Sequence, residues 1–261
     1  MESILYLGPD KGALAAEREL PGNFRLLRIR RDSSQLESVI REVQGVIDAE
    51  MFFKFDFKLI STAAKLKIFT LASTGSDHIN VDALREKGIS FWSLRDDPKF
   101  LSELTPAAEM AWALLLSLAK KLPAATAHVL DGRWNRNHFS GQLLKGQRLG
   151  ILGCGRLGSA VASVGLAFGM DVVAYDPFVE NLPANVKRVD LDHLFESSDF
   201  ISVHVHLSPA TEGLVSSRLL DLAKPTMVLV NTSRGGIVDE NALLTKLKVG
   251  RIGGAALDVL Q

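Results

Sequence analysis

Two clusters of residues have the types and spacing that chemistry needs. The first is Gly153-Cys154-Gly155-Arg156-Leu157-Gly158, with Asp176 after it. An apolar run at 149–153 leads into the glycines and a helical stretch at 157–168 leads out, so the turn joins a strand to a helix. Gly153 permits the tight turn, the bare Gly155 lets backbone approach a pyrophosphate, and Gly158 lets the helix pack on the sheet. The amides of Arg156 and Leu157 then face the phosphates from the helix N-terminus. Asp176 ends the next strand, where a carboxylate accepts both ribose hydroxyls of NAD and repels the extra phosphate of NADP. Pro177 and Phe178 beside it offer no cation to that phosphate. A ligand-free turn and a site for S-adenosylmethionine are the competing readings.

The second cluster is Asn231-Thr232-Ser233-Arg234-Gly235-Gly236-Ile237-Val238-Asp239, directly after the apolar run 227–230. Ligands of open α/β sheets sit outside the carboxyl ends of the strands. A guanidinium there, flanked by glycines, suits a carboxylate held through two parallel hydrogen bonds. Pairing of Arg234 with Asp239, or a helix cap, is the competing reading. Asp258 ends the run 253–257 and suits a nicotinamide carboxamide, or is simply a solvated strand end.

These groups need a scaffold, and the pattern supplies one. Short apolar runs at 4–7, 45–47, 66–71 and 88–92 alternate with amphipathic stretches such as 34–43 and 81–87. After residue 145 the alternation resumes, with strands expected at 149–153, 171–175, 200–204, 227–231 and 252–257. Alternating strands and helices make parallel sheets covered on both faces. The fold class is therefore α/β, with two doubly wound parallel-sheet domains: 1–97, flavodoxin-like and holding the substrate, and 98–261, of Rossmann type and holding the dinucleotide. The polar break Arg95-Asp96-Asp97-Pro98 marks the boundary. Thr105-Pro106 reads as an N-cap with proline at the first helical position, and 107–119 is so uniformly apolar that a helix buried between domains or against a partner subunit is expected.

The 30 basic and 30 acidic residues cancel, which argues against a nucleic-acid footprint or a polybasic membrane anchor. No apolar run reaches the length of a membrane span, and Met1 leads straight into a strand rather than a signal peptide. The single Cys154 permits no intrachain disulfide, favours a reducing, cytoplasmic setting and excludes common zinc frameworks, so no metal is expected. Inside the glycine turn it reads as a small residue that fits.

Together these residues resemble the D-isomer-specific 2-hydroxyacid dehydrogenases. Leu71-Ala72-Ser73-Thr74-Gly75-Ser76-Asp77-His78-Ile79-Asn80 is similar to the family's substrate loop, which implies that the amides of Thr74 and Gly75 hold the substrate carboxylate. Residues 104–109 resemble the start of the long interdomain helix, with Met110 where the family usually has His. The stretch 202–208 resembles the loop beside the adenosine, with His206 in place of the usual Pro. Residues 231–239 match the arginine signature, making Arg234 the implied substrate-binding and catalytic arginine and Thr232 a coenzyme neighbour. Asp258 matches the carboxamide-binding acid.

The resemblance implies an NAD-dependent oxidoreductase acting on a D-2-hydroxy acid or 2-keto acid, with the nicotinamide in an interdomain cleft, and a homodimer formed through 107–134. Family members carry a glutamate, then an acid/base histidine, past the position of Gln261, so the sequence is read as lacking that C-terminal segment. None of the histidines at 78, 128, 138, 193, 204 and 206 is assigned to catalysis, and His78 is expected to be exposed or to cap a helix. A non-catalytic NAD(H)-binding sensor and a methyltransferase are the alternatives; the arginine signature opposes the latter.

Overall fold

The computed structural model describes residues 1–29, 31 and 34–261. It divides into two compact units, Met1–Leu104 and Thr105–Gln261. The break thus falls after Leu104, not after Asp97. Asp97 caps the helix Pro98–Glu103 by accepting from the Phe100 amide at 3.0 Å, and that helix packs on the turn Leu94–Asp96. The polar run at 95–98 is a helix start within the first unit rather than a linker.

In the first unit β1 (Glu2–Leu7), β2 (Phe24–Arg28), β3 (Gly45–Asp48), β4 (Ile68–Leu71) and β5 (Ser90–Ser93) form one parallel sheet in the order β2-β1-β3-β4-β5. Among the described residues these helices accompany them: α1 (Asp10–Glu19), α2 (Leu36–Ile40), α3 (Phe57–Thr62), α4 (Val81–Glu86) and α5 (Pro98–Glu103). The order reverses between β1 and β3, which is the expected flavodoxin-like arrangement. β2 was not among the apolar runs. Its sequence, Phe-Arg-Leu-Leu-Arg, carries two arginines because it is the edge strand and buries none of its residues fully. Leu5, Val46, Ile60, Phe69 and Leu84 fill the core, where Phe55 meets Phe69 edge to face with ring centroids 4.8 Å apart.

The second unit opens with α6 (Pro106–Ala119) and α7 (Leu122–Leu130). Then follow β6 (Arg148–Leu152), α8 (Arg156–Ala167), β7 (Asp171–Tyr175), β8 (Lys187–Arg188), α9 (Leu191–Ser197), β9 (Phe200–Val203), α10 (Ser217–Leu222), β10 (Val228–Asn231), α11 (Glu240–Lys248) and β11 (Gly254–Leu257). All strands are parallel, in the order β11-β10-β9-β6-β7-β8. This is the doubly wound dinucleotide-type sheet. Alternate residues of its strands feed two cores, since successive side chains point to opposite faces. Leu149, Ile151, Phe200 and Val230 pack with α6 and α8, while Leu152, Ile201 and Leu229 pack with α9, α10 and α11.

α6 buries one face within its own unit: Ala108, Ala111, Trp112, Leu115 and Ala119 are buried against α8, β10 and β11, whereas Met110 is exposed. Trp112 donates its indole N–H to the Val161 carbonyl of α8 at 3.2 Å. The helix therefore covers its own sheet. Thr105 stands at the N-cap, but its hydroxyl bonds Glu109 Oε1 at 2.6 Å and no amide bonds to it. Lys121, at φ 53°, ends the run, and α7 leaves in a new direction with none of its residues buried.

Candidate functional site

The strand-to-helix turn of the second unit is built as the glycines require. Gly153 sits at φ +89°, and a Cβ there would lie 2.9 Å from the His204 carbonyl, so a side chain is excluded twice over. At Gly158 a Cβ would come within 2.0 Å of the Gly153 oxygen, which fixes how closely α8 approaches β6. Gly155 is different. A Cβ there would meet nothing within 4 Å, so the missing side chain serves space outside the fold rather than inside it. Gly155 is also the N-cap of α8 and provides no side-chain cap, leaving the Leu157 amide without a partner among the described residues. An open approach to uncapped helical amides is an anion site. Cys154 is buried, and burial raises its thiol pKa, so it is the inert small residue expected.

Asp176 lies at the end of β7, beside this turn, but its carboxylate is less free than the sequence suggested. It is 8% exposed. Oδ2 accepts from the Cys154 amide at 2.8 Å, and Oδ1 accepts from the amides of Phe178 at 2.8 Å and Val179 at 3.1 Å. A carboxylate offers about four acceptor positions, so one remains instead of the pair expected for two ribose hydroxyls. Pro177 and Phe178 offer no cation, but one arrives from farther along the chain. Arg188, from β8, donates through Nη1 to the Asp176 carbonyl at 2.5 Å and through Nη2 to the carbonyls of Val179 and Glu180. Twelve residues of chain separate the two, which hid the pairing from a reading of neighbours.

The remaining edge groups lie at the carboxyl ends of β9, β10 and β11. Buried Asn231 shapes the arginine loop: its Nδ2 donates to the Arg234 carbonyl at 2.9 Å and its Oδ1 accepts from the Ser233 amide at 2.9 Å. Ser233 Oγ donates to the Val203 carbonyl at 2.6 Å, tying the loop to β9. Arg234 is half-buried and donates to the Ser233 carbonyl at 2.8 Å. Asp239 caps α11 through the Ala242 amide. Thr232 presents a buried hydroxyl with no partner, a group that a ligand would satisfy. Asp258 and His206 are exposed, and the His206 carbonyl accepts from Thr211 Oγ1 at 2.5 Å. His204 bonds Ser202 Oγ at 2.7 Å, and desolvation lowers its pKa from 6.5 to about 4. It is therefore neutral near pH 7.

In the first unit the loop after β4 holds the other predicted residues. The Thr74 and Gly75 amides donate to no described group. The loop around them is fixed: Ser73 Oγ donates to the Gly75 carbonyl at 3.1 Å, Ala72 N–H to Asp48 at 2.8 Å and Phe55 N–H to His78 at 2.8 Å. Two adjacent unused amides on a held loop suit an oxyanion. His78 is neither exposed nor a helix cap. Its side chain is 10% exposed, with Nε2 2.8 Å from Oδ2 of Asp48, which is fully buried. Oδ1 of Asp48 accepts from the amides of Glu50 at 3.1 Å and Met51 at 2.9 Å. The Asp48–His78 pair was missed in the sequence. The only signal was an acid closing the apolar run at 45–47.

The groups of the second unit fit a dinucleotide: an open glycine turn, the unpartnered Leu157 amide, an acid at the next strand end and an unsatisfied hydroxyl, all on the carboxyl edge of one sheet. No cluster of three or more His, Cys, Asp or Glu side chains among the described residues could hold a metal.

Residues 112–261 match the family model for the D-isomer specific 2-hydroxyacid dehydrogenase NAD binding domain, and residues 15–131 match the model for its catalytic domain. D-3-phosphoglycerate dehydrogenase of Synechocystis sp. is 40% identical over 205 residues, covering 77% of this chain and 36% of that protein. The enzyme of that name from Sus scrofa is 36% identical over 248 residues, covering 93% and 45%. The chain thus spans less than half the length of these relatives. Among solved structures, the TT0316 protein of Thermus thermophilus aligns with TM-score 0.87 at 30% identity, covering 100% of this chain and 82% of that one. D-lactate dehydrogenase of Aquifex aeolicus, complexed with NAD and lactic acid, aligns with TM-score 0.87 at 28% identity, covering 100% and 77%.

Proposed function

The chain belongs to the D-isomer-specific 2-hydroxyacid dehydrogenases, and from that membership we propose that it moves a hydride between NAD(H) and a D-2-hydroxy acid or the matching 2-keto acid. The observation that carries the reading is the turn at Gly155, open to its surroundings and backed by the unpartnered Leu157 amide of α8. Bound NADH supplies the hydride from its nicotinamide.

The chain's own residues bind and orient. The amides of Arg156 and Leu157 hold the diphosphate, Gly153 and Gly158 shape the turn, and Asp176 accepts a ribose hydroxyl at its remaining position. His206 borders the adenosine. Thr232 and Asp258 receive the nicotinamide end of the coenzyme, which gives the buried Thr232 hydroxyl its missing partner. The amides of Thr74 and Gly75 hold the substrate carboxylate, and Asp48 and His78 act as positioning residues that keep their loop in shape. Arg234 binds the acid's anionic end and stabilises the negative charge that builds on the carbonyl oxygen. None of the histidines within residues 1–261 is assigned the proton transfer. His204 in particular has no imidazolium proton to give near pH 7.

A second copy of the chain is the partner we assign to α7. That helix buries none of its residues, and Leu130 at its end (81%) and Trp134 just past it (85%) are exposed. Leu130→Glu with Trp134→Ser should turn a dimer into a monomer in sedimentation equilibrium; a wild-type monomer at micromolar concentration would reject the assignment. We place the protein in a reducing compartment, the cytoplasm, on the buried single cysteine.

The coenzyme test is energy transfer from tryptophan to NADH, followed by titration of oxalate into the NADH-saturated chain. We expect NADH emission to rise and oxalate to bind. A folded chain that gives neither signal would defeat the proposal.

A further inference from the structure

The rim beside Asp176 carries a feature that bears on which coenzyme enters, given the reading above that the glycine turn holds a dinucleotide diphosphate. β8 is a two-residue edge strand, paired with β7 through Val173 with Lys187 and Ala174 with Arg188. That register places Arg188 alongside the end of β7, and its guanidinium crosses to the main chain of Asp176, Val179 and Glu180. A guanidinium has five N–H donors. Three are engaged, and the other two have no partner among the described residues, while the side chain is exposed. The Cys154 thiol feels both nearby charges, Asp176 raising its pKa and Arg188 lowering it, after the larger effect of burial. Cation and anion therefore flank one turn.

An acid at this strand end excludes a 2′-phosphate when its charge is exposed, and a nearby arginine admits one. Here the acid is buried, with three backbone amides already donating to it, and the arginine has donors to spare. We propose that Arg188 is a coenzyme-specificity residue whose guanidinium receives the 2′-phosphate of NADPH through a spare N–H group, so that the chain takes NADPH as well as NADH. Lys187 does not compete for this role, because its ammonium pairs with Asp171 at 2.9 Å.

The test is calorimetric titration of the 261-residue chain with NADH and with NADPH, for the wild type, Arg188→Gln and Arg188→Lys. Wild-type dissociation constants for the two coenzymes should lie within about tenfold of each other, since an admitted phosphate neither gains nor loses more than one charge-assisted bond. Arg188→Gln should weaken NADPH by about 10- to 100-fold, the worth of one such bond, and NADH by far less. Arg188→Lys, which keeps the charge without the fork, should fall between. NADH binding without NADPH binding would overturn the inference and leave the dinucleotide reading standing. Equal losses of both coenzymes in Arg188→Gln would also overturn it, showing that Arg188 only clamps residues 176–180. A folded wild type that binds neither would overturn the dinucleotide reading, and this inference with it.

Discussion

Gly155→Val separates the two things a glycine can do in such a turn. The backbone at Gly155 is extended, φ −70° and ψ −156°, which any L-residue adopts, and no atom lies within 4 Å of where a Cβ would stand. The folded chain should therefore accept valine. The flexible unfolded state loses entropy, which stabilises, while the helix loses a tolerable N-cap, which destabilises; the net change is within about 1 kcal/mol. Coenzyme binding should respond very differently. The valine side chain fills the approach to the first-turn amides of α8, so at least two hydrogen bonds to an anionic diphosphate are lost. At about 1.5–3 kcal/mol each, NADH affinity should fall by about 10²- to 10⁴-fold. The assay pairs a urea melt with an NADH fluorescence titration. Gly158→Ala is the internal contrast, because its Cβ would collide with the Gly153 oxygen at 2.0 Å and the fold itself should weaken. A Gly155→Val chain that melts like the wild type and binds NADH equally well would refute the reasoning.

Arg234→Gln should abolish oxalate binding in calorimetry while NADH affinity stays within about threefold, since one charged, forked contact to a carboxylate is removed and the glycine turn is untouched; undiminished oxalate binding would move the substrate site elsewhere. Asp48→Asn removes a buried carboxylate that accepts two amides and meets His78. It should cost the first unit about 2 kcal/mol in a urea melt and weaken oxalate, but not NADH. For His204 the folded pKa, about 4, lies below the ordinary 6.5, so the folded state binds the proton more weakly than the unfolded state. Its contribution is complete above pH 6.5 and is lost as pH falls toward 4, amounting to about 3 kcal/mol. His204→Gln should flatten that part of the stability–pH curve; parallel curves for the two proteins would remove the effect.

The features legible in the sequence share one property: they are local. The glycine turn, the arginine loop and their strands are runs of consecutive residues, so strand, turn and helix could be placed in register. The Thr74–Gly75 amides came only through resemblance, because backbone donors leave no trace in residue type. What escaped notice depends on distance or on surroundings. Asp48 meets His78 across thirty residues and Arg188 reaches Asp176 across twelve, pairings that the strand registers create. β2 was hidden because an edge strand tolerates arginines at positions a central strand would fill with apolar groups. The apolar composition of α6 says that it is buried but not against what, and it is the tertiary fold that sets one of its faces on its own sheet. The polar run at 95–98 reads as a break for a related reason: Asp97 and Pro98 form a cap and first turn, and the same residue types also make linkers.

The most direct measurement is a crystal structure of the chain grown with NADH. The diphosphate should lie over the amides of Arg156 and Leu157, the adenosine ribose against Asp176 and the nicotinamide end toward Thr232 and Asp258. Coenzyme density elsewhere on the molecule, or a Gly155 turn left empty in a crystal saturated with NADH, would contradict this placement.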